Sequence, residues 1–60
     1  MNKREFAEFH KCLAMLIYEY NKFFLSPNIT EETRTKIGET LEHLNEVMKI
    51  CIIDGSEINE

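Results

Sequence analysis

The sequence predicts an all-α fold: an antiparallel two-helix hairpin that dimerises into a four-helix bundle. Three observations predict it. Two long stretches repeat apolar residues at steps of three and four. One short break, around the only proline, separates them. The stretch "CLAMLIYEY", Cys12 to Tyr20, is more apolar than one hairpin seam requires.

The first helix is expected over about residues 3–25. This stretch lacks Gly and Pro, and Phe6, Phe9, Leu13, Leu16, Tyr20 and Phe23 form an alternating heptad seam. Cys12, Ile17 and Phe24 flank that seam, and Met15 and Tyr18 fall on the opposite side. Pro27 stops the helix, because the residue before a proline is steered away from helical geometry. The loop is expected at 26–30.

The second helix is expected over about residues 31–53. Thr30 is a suitable N-cap, with Glu31 and Glu32 in the first turn where carboxylates favour the helix dipole. Asn28, with Glu31 three residues on, offers a competing capping box. Ile37, Leu41, Leu44, Met48 and Cys51 make the seam. Gly38 costs up to about 1 kcal/mol against Ala. Asp54-Gly55 supplies the stop, with Gly55 a left-handed cap and 54–60 a loose tail. The whole chain, 1–60, is then one helical-hairpin domain. A hairpin turning near Pro27–Asn28 sets Cys12 level with Leu44 and Cys51 level with Glu5, so no disulfide joins them.

Sixty residues are few for a self-sufficient core. One hairpin gives each helix a single neighbour, yet Val47, Ile52 and Ile53 lie beside or outside the second seam. At about 25 cal/mol per Å², leaving four or five such side chains wet forfeits several kcal/mol. The expected interface, with a second copy or with a foreign protein, takes Phe6, Phe9, Leu13, Leu16, Ile17, Tyr20, Phe23, Phe24, Leu41, Leu44, Met48 and Ile52.

Little in the chain suggests chemistry. Two Cys and two His make neither a disulfide framework nor a zinc finger. His10 and His43 are expected at similar heights, but no Glu-x-x-His or His-x-x-x-His pair aims two ligands from one face. No nucleophile–base pattern and no Gly-rich phosphate loop appears. The expectation is therefore no enzyme, no metal and no cofactor. The cysteines read as small core-facing residues with reduced thiols. No signal-peptide pattern or membrane span is recognisable, which fits a cytoplasmic protein.

Charge is divided unevenly. Up to Leu25 there are four basic and three acidic residues, but from Ser26 onward three basic and eight acidic. Glu32, Glu39, Glu42 and Glu46 share the outer face of the second helix and form a candidate acidic partner-binding ridge. A nucleic-acid surface needs a basic stripe, and Lys3, Arg4 and Lys11 supply only a small one.

The stretch "KIGETLEHLNEVM" resembles the second helix of small bacterial helical-hairpin phosphatases that act on sporulation response regulators. The likeness lies in its leucine spacing. Where that family carries a Ser-Gln-x-x-Leu-Asp-x-Leu-like motif, this chain has Gly38, Glu39 and Glu42 in place of the serine, glutamine and aspartate. The resemblance thus implies shape and no activity or site. In style the whole chain also resembles small accessory viral proteins of bacteriophages and mobile elements. These commonly act as dimers that bind and block a host protein, which implies an inhibitor or regulator in the host cytoplasm. A structural assembly subunit and a small DNA-binding regulator are the alternatives.

Overall fold

The computed structural model describes residues 2–57 and contains two helices joined by a short loop. Helix α1 spans Lys3–Phe24 and helix α2 spans Glu31–Ser56. At about 1.5 Å per residue they are roughly 33 and 39 Å long. They lie side by side in a rod with Cα extents of 46 × 15 × 11 Å.

Each helix starts on a polar cap. The Asn2 side chain accepts from the Glu5 N–H at 2.8 Å. Thr30 Oγ1 accepts from the Thr33 N–H at 3.2 Å, so Thr30 is the cap and the competing Asn28 box is not used. Helix α1 ends as expected ahead of Pro27, with the Leu25 N–H donating to the Asn21 carbonyl at 3.1 Å.

Helix α2 does not stop at Asp54-Gly55. It runs on to Ser56, and no described glycine has a positive φ. Gly55 serves packing instead. The Phe6 ring lies directly over it, where any β-carbon would overlap the ring. Of the expected tail, residues 58–60 lie outside the described residues.

The α2 seam is as the periodicity predicts. Leu41 and Cys51 are buried, and Ile37, Leu44 and Met48 are half-buried. The α1 seam differs. Its inward residues are Phe6, His10, Leu13, Ile17, Tyr20 and Phe24, all buried or half-buried. Phe9, Leu16 and Phe23 are 38%, 44% and 53% exposed. Both sets share Phe6, Leu13 and Tyr20 and alternate steps of three and four, so periodicity alone does not separate them. The contacts of Phe24 do. Gly38 receives Phe24, whose Cε2 lies 3.4 Å from a β-carbon built there, and Gly55 receives Phe6.

Those two contacts also fix the register. Phe6 opposite Gly55 and Phe24 opposite Gly38 put Cys12 level with Lys49 or Ile50 rather than with Leu44. Helix α2 therefore passes the loop for about two turns before it meets Phe24. Arg34 ties that overhang down. Its guanidinium donates to the carbonyls of Phe24 and, at 2.9 Å, Ser26, and lies 5.9 Å from the Phe24 ring centroid.

Candidate protein-binding surfaces

Only Leu13, Leu41 and Cys51 are buried hydrophobics, whereas ten large hydrophobics are exposed among the described residues. The exposed ones are not scattered evenly. At 100° per residue, Phe9, Cys12, Leu16 and Phe23 fall on one flank of α1, roughly a quarter turn from its inward seam. Val47 of α2, 38% exposed, opens on the same side of the hairpin, at the level of Ala14 and Met15. Beside Val47, α2 presents Lys36, Thr40, His43 and Asp54; on the opposite side α1 and its cap present Ala7, Ala14, Tyr18, Asn21 and Leu25, and α2 presents Glu42, Asn45, Lys49 and Ile52. The continuous apolar stripe therefore belongs to one flank of α1, and each broad side of the hairpin mixes apolar with polar residues.

Of the expected interface residues, eight are engaged within the hairpin. Phe6, Leu13, Ile17, Tyr20, Phe24, Leu41, Leu44 and Met48 pack between α1 and α2 as its seam. Phe9, Leu16, Phe23 and Ile52 keep 38–53% of their surface exposed. Met15 and Tyr18 stand outward at 58% and 68% exposure, as the sequence pattern places them.

The ridge residues Glu32, Glu39, Glu42 and Glu46 are all exposed. They fall within an arc of about 80° on the outer face of α2. Lys36 intrudes beside Glu39, with Nζ 3.9 Å from its carboxylate. Both groups are well exposed, so the pair is screened and does not neutralise the ridge. Ile50 and Ile53 continue the same arc towards the C-terminal end and are 59% and 58% exposed. The full surface is a run of carboxylates ending in an apolar ledge. The sequence carried the signal for this extension in the steps of four and three from Glu46 to Ile50 to Ile53.

The histidines do not sit at equal heights. The register set by the Phe–Gly contacts separates His10 and His43 by about eight residues, or roughly 12 Å along the axis. His10 is half-buried against Phe6, with ring centroids 5.8 Å apart, and His43 is exposed. No group of three or more metal-ligating side chains lies together among the described residues. Both cysteines are free. Cys51 is core-facing as expected, but Cys12 is exposed on the apolar flank because that flank turns away from α2.

Among the described residues no helix is long and apolar enough to cross a membrane. No protein-family model, no curated protein and no solved structure matches the chain.

Proposed function

We propose that this chain is a small non-enzymatic protein-binding module of the kind used by bacteriophages and mobile elements to inhibit or regulate a larger bacterial protein. Two hairpins pair into a homodimeric four-helix bundle. The bundle presents the α2 ridge outward and acts by covering a surface of its target.

The observation that carries this reading is the excess of exposed over buried apolar side chains, ten against three. Scattered exposed apolar residues are ordinary, but a contiguous flank of them marks an association surface. The exposed aromatics Phe9, Tyr18 and Phe23 are of the type that anchors protein interfaces. The acidic run with its apolar ledge suits a basic surface that has an adjoining hydrophobic pocket.

The test compares immobilised wild type with Glu39→Lys/Glu46→Lys as bait in bacterial extract. Helicity and solution mass are checked for both. A prey retained by wild type and lost by a variant of unchanged helicity and mass is the expected result. The same prey on both baits, or none on either, overturns the ridge as a binding surface.

A further inference from the structure

We infer that a second copy of the chain docks on the apolar flank of α1 through a two-fold axis perpendicular to the helices. The axis crosses α1 at the level of Met15 and Leu16. Helix α1 then lies antiparallel against α1 of the second copy, and α2 against α2. The inference rests on the dimer proposed above and assigns it an interface and a symmetry.

The flank is symmetric about that level. Phe9 and Phe23 stand seven residues on either side of Leu16, so reversal exchanges the two rings and returns Leu16 to itself. An isologous interface has this property, because each residue must find its partner in the reversed order of the same sequence. The charges at the outer rim reverse in the complementary sense. Glu8 and Lys22 stand seven residues on either side of Met15, with side chains 72% and 64% exposed, so each comes level with the opposite charge of the second copy. Charge pairs across the rim of two packed helices set partner and orientation. The contacts of Glu8 with Arg4 and of Lys22 with Glu19 within α1 are exposed and screened, and leave both groups available.

Helix α2 agrees. The Phe–Gly contacts put residues 15 and 16 level with residues 45–47. Beside Val47, α2 presents Lys36 towards one end and Asp54 towards the other, and their midpoint is residue 45. The axis that pairs Glu8 with Lys22 therefore also pairs Lys36 with Asp54. It staggers the acidic ridges as well. Glu39 and Glu42 come level with Ile53 and Ile50 of the second copy, and only Glu46 approaches its own counterpart, which limits repulsion between the ridges. An axis parallel to the helices would instead lay the α1 flank on α2, with Phe9 beside Asp54 and Phe23 beside Lys36 and Thr40, and would cover charged groups with apolar rings. The opposite side of the hairpin is poorer in apolar surface. There α1 offers Ala7, Ala14 and Tyr18, interrupted by Lys11 and Asn21.

Light scattering after size exclusion across a dilution series tests the face, on wild type, Leu16→Glu and Tyr18→Glu. Wild type and Tyr18→Glu should be dimers. Leu16→Glu, which sets two carboxylates together at the axis, should dissociate at concentrations roughly tenfold higher or more. A monomeric wild type overturns the dimer itself. A dimer that survives Leu16→Glu but not Tyr18→Glu keeps the dimer and overturns the flank. The symmetry is read on wild type, by zero-length carbodiimide coupling of carboxylates to amines and peptide mapping of the covalent dimer. A Glu8–Lys22 link is expected. These residues stand about 21 Å apart along α1, so neither a single chain nor copies related by a parallel axis can form it. A covalent dimer joined only through other pairs overturns the perpendicular axis, and this readout needs no variant to fold.

Discussion

The Phe6 ring occupies the space a side chain at Gly55 would need, so the last turn of α2 is held to the first turns of α1 by ring-on-backbone packing. Gly55 is helical and has no positive φ, so its value lies in the missing β-carbon. Alanine is the better helix former by about 1 kcal/mol. Even so, Gly55→Ala should lower the melting temperature, because the ring must leave its seat. In a Phe6→Ala background the same change should raise it. A thermal double-mutant cycle checks this reversal of sign; additive effects would show that the contact contributes nothing.

Gly38 makes the opposite case. A β-carbon there would meet Phe24 at 3.4 Å, an ordinary contact with a side chain that can adjust. Gly38→Ala should therefore stabilise by about 0.5–1 kcal/mol through helix propensity and reduced unfolded-state freedom. That corresponds to a rise of roughly 4 °C in melting temperature, measured at fixed protein concentration because the proposed dimerisation would shift the midpoint. A fall would mean that Phe24 has no room to yield.

Arg34 reaches back from α2 to the Phe24 and Ser26 carbonyls and is only 28% exposed. It satisfies carbonyls at the negative end of α1 and covers the Phe24 ring. Arg34→Met should cost about 1–2 kcal/mol by chemical denaturation. Arg34→Lys should recover little of it, since one ammonium does not reproduce the planar fork that serves two carbonyls. Full rescue by lysine would reduce the role of Arg34 to its charge.

Helix number, the approximate helix spans, the Thr30 cap and the α2 seam were legible in the sequence. They depend on local steric and hydrogen-bonding preferences and on a single apolar stripe. The α1 seam was not, because α1 carries two adjacent stripes that share Phe6, Leu13 and Tyr20. Alternating steps of three and four fit either. What separates them is tertiary: Phe24, which belongs to one stripe alone, lies against Gly38 and beside the Arg34 guanidinium. The register misled for a related reason. A turn centred on Pro27 implies arms of equal reach, whereas Arg34 anchors an overhang of α2 past the loop. The acidic ridge is legible in its spacing, but a pattern of charges carries no sign of its apolar continuation into Ile50 and Ile53.

The two α1 stripes predict separable phenotypes at neighbouring positions. Ile17 faces α2 and is half-buried, while Leu16 is 44% exposed on the flank. Ile17→Ala should destabilise the hairpin itself, by about 2 kcal/mol for a partly buried aliphatic side chain. That loss should persist at every protein concentration. Leu16→Ala should leave the hairpin's intrinsic stability nearly unchanged and weaken association. Its deficit in melting temperature should appear at concentrations where wild type is dimeric and shrink on dilution into the monomeric range. Thermal melts across a hundredfold range of concentration separate the two. If Leu16→Ala and Ile17→Ala lost stability in parallel at every dilution, both residues would belong to one core, and the flank would have no partner to lose.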